Sequence, residues 1–257
     1  MTVLGILTCE VLEEEISYLL LREKEFIKIN IISSEHSSGI AERLSSDART
    51  SVLQDLAEFQ PSPGPGMEVI VEVLNVGLHM VKKELQDGVF TNIRKLREVC
   101  DGLLLGYGLC GNSLEYLEEE IKDVPIPVVM PTNPNGSRID DCVCMVLGET
   151  QEYLKEVKKE AGTWFVTPGW VKHWDTLLLK ELGAKDIKTV KWIFDKAHYS
   201  RALKINTEGC YDKQVYAAGA KAFADTFNFR LDEREGSLQI LVAALDRAKN
   251  LARQKGG

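Results

Sequence analysis

The chain has 257 residues, 44% hydrophobic and 27% charged, and its 31 basic and 39 acidic side chains give a formal net charge of −8. This length and composition are typical of a globular protein with a substantial core, and the negative charge disfavours nucleic acid as a partner. No apolar run approaches the ~18 residues of a membrane span, and the N-terminus lacks the basic flank of a signal peptide. We therefore expect a cytoplasmic protein with no membrane partner.

Strand-like and helix-like patterns alternate along the sequence. In the first part of the chain, the patterns predict a strand at 3–7, a helix from about 11, a strand at 26–32, a mostly helical stretch at 33–60 and a Pro/Gly connector at 61–66. The middle part is predicted to contain a strand at 67–74, a helix to about 99, a strand at 103–105, a helix at 114–122, a strand at 124–130, a loop at 131–136 and a helix or strand at 140–148. The last part is predicted to contain a helix at 152–160, a strand at 163–167, a helix at 170–182, a strand at 202–207, a helix around 215–223, a strand at 227–231 and a helix at 237–252.

About seven strands that alternate with helices predict an α/β protein with a mainly parallel, Rossmann-like sheet flanked by helices. We take residues 1–257 as a single α/β domain. The alternative is a division near 125–141 into two similar halves.

The most distinctive segment is CDGLLLGYGLCGNS, from Cys100 to Ser113. Its apolar run, Leu103–Leu105, is bounded by glycines and predicts a buried strand. A strand that enters a Gly-rich turn is how an open α/β sheet forms a pocket at the carboxyl ends of its strands. We predict that the backbone of this turn binds a cofactor at Gly106, Gly108 and Gly111. The polar or reactive side chains beside these glycines are Tyr107, Cys110 and Asn112. It lacks the GxGxxG spacing of a dinucleotide loop.

The six cysteines include no CxxC pair, so the zinc-ribbon signature is absent, and a reducing compartment disfavours disulfides. Several thiols and one imidazole follow predicted strands, where a parallel sheet would gather them on one edge. These candidate metal ligands are Cys9, His79, Cys110, Cys142 and Cys210. Thiolates and imidazole suit zinc, an iron–sulfur cluster or a cobalt-type centre.

Other residues have structural interpretations. Cys100 is expected in the core, and Cys144 would point away from Cys142 if their segment is helical. Trp170 and Trp174, four residues apart, are expected in the core of a helix interface. The acidic run Glu13–Glu15 is expected to lie on a solvated helix face.

Short segments also occur in an order that resembles the protein family of unknown function DUF1638. They are ILTC at 6–9, LH at 78–79, LGYGLCGN at 105–112, DC at 141–142 with LG at 147–148, and TPGW at 167–170, over about residues 3–245. The resemblance places the family's motif cysteines on Cys9, Cys110 and Cys142 and its histidine on His79. Cys210 lies outside the pattern, and the segment 131–140 lacks the histidine that the family has before its Asp-Cys pair.

Proteins that resemble this chain occur in anaerobic bacteria and methanogenic archaea, beside corrinoid-dependent methyltransferase systems. The resemblance therefore implies a role in methyl-group transfer, with a corrinoid as an additional cofactor and a corrinoid protein or methyltransferase as a partner.

Our leading hypothesis is a protein that holds zinc or an iron–sulfur cluster with Cys9, Cys110 and Cys142, and with His79 or Cys210 as a fourth ligand. As an enzyme it would be a metal-dependent transferase of a small methyl- or thiol-bearing substrate, which Tyr107 and Asn112 would orient. Two alternatives are an accessory, chaperone-like partner of a corrinoid system with structural cysteines, and a metal-free enzyme with Cys110 as nucleophile and His79 as base.

Overall fold

The structure is a computed structural model that describes residues 1–256, apart from the side chains of Thr176 and Glu181. Its larger sheet has six strands, all parallel, in the order β3-β2-β4-β1-β5-β6. These strands are β1 (Thr2–Cys9), β2 (Phe26–Ile32), β3 (Thr50–Leu53), β4 (Met67–Leu74), β5 (Gly102–Gly106) and β6 (Val128–Val129).

Both faces of this sheet are covered. In β1, Leu4 and Ile6 belong to one buried apolar cluster, whereas Val3 and Leu7 belong to another, because successive side chains of a strand point to opposite faces. An all-parallel sheet requires such covering on both faces. The first helices of the chain are α1 (Glu13–Arg22), α2 (Ser38–Leu44), α3 (Lys82–Leu96), α4 (Leu117–Glu120), α5 (Cys142–Leu147) and α6 (Thr150–Lys159).

A second, smaller sheet has three parallel strands in the order β7-β8-β9. Its strands and their helices are β7 (Thr163–Val166), α7 (Pro168–Glu181), α8 (Ile187–Lys196), β8 (Arg201–Asn206), α9 (Lys213–Phe227) and β9 (Arg230–Glu235). Aromatic rings fill the core between this sheet and its helices. For example, Phe223 lies edge-on to both Trp170 and Trp174, with ring centroids 4.9 and 5.5 Å away.

The last helix, α10 (Gln239–Gly256), returns from the second sheet and lies against β5 and β1 of the first. Leu203 and Ile205 of β8 belong to the same buried cluster as Leu4 and Ile6 of β1. The two sheets therefore share one continuous apolar core, and the edges that face each other can form a common cavity.

The predicted fold class is confirmed: the protein is α/β, with a parallel sheet flanked by helices. The described residues form nine strands instead of about seven, and the prediction of a mostly helical stretch at 33–60 is wrong. That stretch contains the short helix α2 and the edge strand β3, and Arg49, between them, donates hydrogen bonds to the carbonyl oxygens of Leu20 and Phe26. These contacts fix the start of β3 through residues distant in the sequence. The segment 140–148 is a helix, and α8 had no predicted counterpart.

The prediction of a solvated acidic run is also wrong, because Glu13, Glu14 and Glu15 are all buried. Their carboxylates lie in the first turn of α1, which points towards the second sheet, and Arg43 and Lys172 form ion pairs with Glu13 and Glu14. Acidic side chains are also favoured at a helix N-terminus by the helix dipole. A local pattern of charges could not show partners that come from α2 and α7.

Candidate functional site

The order of the strands creates a crevice at the carboxyl end of β1. The chain continues from β1 to β2 on one side of β1, but from the neighbouring β5 to β6 on the other side, and ligands bind in open α/β sheets where the connections reverse direction in this way. A cavity of about 420 Å³ lies at this edge, and Cys9, Cys110 and Cys142 all line it. We call it the thiol cavity. His79 and Tyr107 also line it, so the structure brings together four of the five predicted ligands.

Cys9 is the last residue of β1 and is 3% exposed. The chain turns immediately after it into a short 3-10 helix, Glu10–Leu12, which leads into α1. Burial raises the pKa of the Cys9 thiol far above its usual value, and the nearby Cys110 thiol adds to this effect. Cys9 is therefore a neutral thiol in the cavity wall at neutral pH.

The loop after β5 holds Cys110 in the left-handed backbone region, with φ of 48°, an uncommon conformation for a residue that is not glycine. The backbone N–H groups of Leu109 and Cys110 donate to the carbonyl oxygens of Ile139 and Asp140, at 2.9 and 2.8 Å. A β-carbon at Gly108 would lie 2.8 Å from the Asp140 backbone, so only glycine permits this close approach. The conformation of the loop thus presents Cys110 to the cavity.

Cys142 is the first residue of α5, and the preceding residue caps this helix. The Asp141 carboxylate accepts a hydrogen bond from the backbone N–H of Cys144 at 2.8 Å, which satisfies a donor that the helix leaves free. Because the segment is helical, Cys142 and Cys144 point in different directions, and Cys144 is fully buried in the shared core. Of these two thiols, Cys142 is the one that lines the thiol cavity.

His79 lies in a 3-10 helix, Val76–Met80, that follows β4. Its ring stacks on Tyr107, with centroids 5.8 Å apart and the planes inclined by 18°. The Nε2 atom of His79 and the hydroxyl of Tyr107 are both buried and have no hydrogen-bond partner in the part of the chain that the structure describes. Burial lowers the pKa of His79 to about 4, so the imidazole is neutral at pH 7. Unpaired buried polar atoms are uncommon in proteins and indicate a ligand or water that pairs with them.

The thiols of the cavity are held in their protonated form. Burial raises the pKa of Cys110 to about 12, with the charge of Asp141 as a smaller cause. Burial likewise raises the pKa of Cys142, and Asp141, Cys110 and Cys9 add to the shift. Since ionisation of one thiol disfavours ionisation of the next, the three could become thiolates together only beside a cation.

The TPGW segment forms the opposite wall. Thr167 caps α7, Pro168 occupies its first turn, and Trp170 lines the cavity while it contacts Trp164 and Phe223. Trp170 is therefore both a core residue, as the sequence predicted, and part of the cavity. Trp174 lies in the aromatic core and is not among the residues that line the cavity.

Other predicted site residues lie elsewhere. Gly106 and Gly108 line the thiol cavity, whereas Gly111 and Asn112 lie on the exposed part of the loop. Cys210 is buried in the apolar cluster of the second sheet and does not line the cavity. Cys100 is in the core, as expected.

The sequence did not indicate several residues of the cavity wall: Tyr153, Trp164, Phe165, Lys180 and Tyr199. They come from α6, β7, α7 and the segment before β8, which approach the first sheet only because the two sheets share a core. No sequence signal in those elements pointed to a thiol site.

The thiol cavity fits a metal in the chemistry of its ligands but not in their arrangement. Its donors, thiols and an imidazole, are the ligands that zinc and iron–sulfur clusters use, and the unpaired Nε2 of His79 is available. As the side chains stand, however, no group of three or more His, Cys, Asp or Glu residues in the described part of the chain is arranged to hold a metal ion. The cavity supplies suitable ligand types without a preformed ligand geometry.

These features define a class of protein: an α/β protein with two parallel sheets and a thiol-lined cavity at the carboxyl edge of the larger one. The model of the family described as "protein of unknown function (DUF1638)" matches residues 73–245, and the chain belongs to this family. The match includes His79, Cys110, Cys142 and TPGW, and Cys9 lies before it. A search among curated proteins finds no match. In the described residues, we find no helix with the length and apolar character needed to cross a membrane.

Proposed function

We propose that the protein binds a metal ion or metal cluster through Cys9, Cys110 and Cys142, with His79 as a further ligand, and acts in corrinoid-linked methyl-group metabolism. The observation that carries the metal part is the convergence of three thiols from three separate segments on one cavity. Buried cysteines need no such convergence, since each could be satisfied in a different part of the core.

The unpaired Nε2 atom of His79 supports the same assignment, because an imidazole nitrogen without a hydrogen-bond partner among the described residues is free to act as a ligand. A bound cation would keep the thiolates ionised and would convert a small thiol or methyl-bearing substrate into a reactive species at neutral pH. Binding requires the thiol side chains to converge further. Cys110 lies on a loop and not in a helix or strand, which favours such a movement.

The resemblance to DUF1638 proteins supports the cellular setting, which is the cytoplasm of an anaerobic bacterium or methanogenic archaeon. It supports the substrate class, a small methyl- or thiol-bearing molecule, and a corrinoid protein or methyltransferase as partner.

The first experiment is metal analysis of wild-type protein purified without oxygen, together with Cys110→Ser and Cys142→Ser variants. We expect about one metal site per chain in the wild type and metal affinity at least tenfold lower in both variants. Visible absorption and acid-labile sulfide distinguish an iron–sulfur cluster from zinc. Cys210→Ser is the matched control, since Cys210 is buried outside the cavity, and it should retain the metal. Reduced wild-type protein that takes up no zinc, iron or cobalt contradicts the proposal.

A second candidate is the accessory protein with structural cysteines, and one observation favours it: no ligand trio is preformed in the described residues. This candidate predicts metal-free protein that co-purifies with a corrinoid protein or its methyltransferase. The metal-free cysteine enzyme has less support, because burial keeps the Cys110 thiol protonated and the described lining offers no activating cation other than Lys180.

A further inference from the structure

Lys180 lies in the last turn of α7 and lines the thiol cavity on the side of the second sheet. Its ammonium group lies close to Gly77, in the 3-10 helix that carries His79, because a β-carbon at Gly77 would lie 3.8 Å from the Lys180 nitrogen. A cation from the second sheet's layer of helices therefore lies beside the segment that presents the imidazole.

Lys180 has no ion-pair or hydrogen-bond partner for its ammonium group among the described residues, unlike Lys172 on the same helix, which pairs with Glu13 and Glu14. The only other charged side chain in the described lining is Asp141, and its carboxylate is engaged in capping α5. Within the part of the chain that the structure describes, the cavity thus has one cation, on an exposed side chain, that forms no ion pair.

The rest of the lining indicates the size and character of a ligand. Trp164, Trp170 and Tyr199 provide an aromatic wall, and the volume of about 420 Å³ suits a small organic molecule. Tyr107 is 1% exposed, and its unpaired hydroxyl offers a hydrogen bond inside the cavity. Ligand sites are typically apolar cavities of this kind with a few polar groups that fix orientation.

We propose that the thiol cavity binds a small substrate with a carboxylate or equivalent anionic group, which lies against Lys180 while the reacting part lies among Cys9, Cys110 and Cys142. This inference deepens the proposed function and rests on it for the reaction, but the anion site itself requires no metal. It identifies Lys180 as a residue that selects substrates by charge.

The test compares two alkylating reagents of nearly equal size, anionic iodoacetate and neutral iodoacetamide, on metal-free, reduced protein. In both reactions the thiol sulfur forms a bond to carbon, the carbon–iodine bond breaks, iodide leaves and the thiol proton passes to solvent. Peptide mass mapping follows Cys110, and the ratio of the two rates cancels the effect of thiol pKa. N-acetylcysteine gives the reference ratio.

We expect the iodoacetate-to-iodoacetamide ratio at Cys110 to exceed the reference on the order of fivefold, because a nearby cation concentrates the anion. Lys180→Met should return the ratio to the reference and Lys180→Arg should preserve it. Lys185→Met removes an exposed lysine five residues away that does not line the cavity, and should have no effect. Equal ratios in wild type and Lys180→Met overturn the proposal.

A second measurement needs no reaction at Cys110. Trp192→Phe removes a tryptophan that is 61% exposed, so that Trp164 and Trp170 contribute more of the quenchable fluorescence. In this background, fluorescence quenching by anionic iodide is compared with quenching by neutral acrylamide. The iodide-to-acrylamide quenching ratio should be higher with Lys180 than in Lys180→Met, and equal ratios overturn the proposal. Metal content is measured separately. A charge preference without metal binding supports the anion site and contradicts the metal centre, and the reverse result contradicts only the anion site.

Discussion

Gly169, in the first turn of α7, packs so closely on Val11 that a β-carbon at position 169 would lie 2.0 Å from the Val11 carbonyl oxygen. This contact sets α7, and with it Trp170 and Lys180, against the turn that follows Cys9. The distance between the two walls of the thiol cavity thus depends on a residue without a side chain.

Gly169→Ala should therefore destabilise the protein, because the helix must move away from a rigid backbone group. We expect the free energy of unfolding to fall by about 1–3 kcal/mol, the usual cost of inserting a methyl group into a closely packed interface. Urea denaturation measures the change. Gly183→Asn, just beyond the end of the same helix, is the control: Gly183 has φ of 56°, which asparagine tolerates, and no atom would lie within 4 Å of a β-carbon there. Equal losses in the two variants would contradict the role of the Val11 contact.

The buried ion pairs of Arg43 are a second determinant of stability. Arg43 donates to Glu13 and Glu14 at 3.0 and 3.2 Å, and all three side chains are less than one-tenth exposed. Arg43→Met leaves two buried carboxylates with Lys172 as their one remaining ion-pair partner among the described residues, and we expect a loss of about 3 kcal/mol in the free energy of unfolding. The exposed pair Lys83–Asp87 provides the comparison, since Lys83→Met should cost less than about 0.5 kcal/mol. A small effect of Arg43→Met would show that the carboxylates reach solvent.

Glu15 should make stability depend on pH. The pKa of its carboxyl group is raised to about 7, chiefly by burial and also by the charge of Glu14, although the Thr207 hydroxyl and Lys172 act in the opposite direction. The folded protein therefore holds the proton up to about pH 7, whereas the unfolded chain loses it near 4.5. The stabilisation from this proton is complete below pH 4.5 and is lost as the pH rises to 7.

Between these pH limits, the free energy of unfolding should fall by about 3 kcal/mol because of Glu15. Glu15→Gln should abolish this pH dependence. The variant, which is neutral at every pH, should be more stable than the wild type at about pH 8 and similar to it at about pH 4.5. Unfolding by urea across this range gives the comparison. Parallel pH profiles for the two proteins would contradict a raised pKa at Glu15.

The sequence predicted the class of fold and much of the thiol cavity because both depend on local signals. Apolar runs define the buried strands, and the carboxyl ends of parallel strands necessarily share an edge, which placed Cys9, His79 and Cys110 together. Burial of Glu13–Glu15 could not be predicted in this way, because it depends on Arg43 and Lys172 from other helices. Lys180 was also missed, since its place in the cavity depends on how α7 packs on the first sheet.

Tyr107 allows stability and ligand binding to be separated. Its hydroxyl is buried and has no partner among the described residues, so Tyr107→Phe removes no hydrogen bond within that part of the protein. We expect the free energy of unfolding to stay the same or rise by up to about 1 kcal/mol, because an unsatisfied polar group is removed from the interior. If the hydroxyl binds a ligand, affinity for metal or for a small anionic thiol such as 3-mercaptopropionate should fall by about tenfold.

Tyr216→Phe is the matched control, since Tyr216 is also buried but its hydroxyl donates to the Val166 carbonyl oxygen at 2.6 Å and accepts from the Ile205 backbone N–H at 3.1 Å. Loss of this hydroxyl leaves buried backbone groups unpaired and should cost about 1–3 kcal/mol, with no direct effect on the thiol cavity. Opposite outcomes in the two variants would separate a hydroxyl that holds the fold together from one that is available to a ligand. A stability loss in Tyr107→Phe as large as that in Tyr216→Phe would mean that the Tyr107 hydroxyl is already satisfied within the protein, and its role in binding would be contradicted.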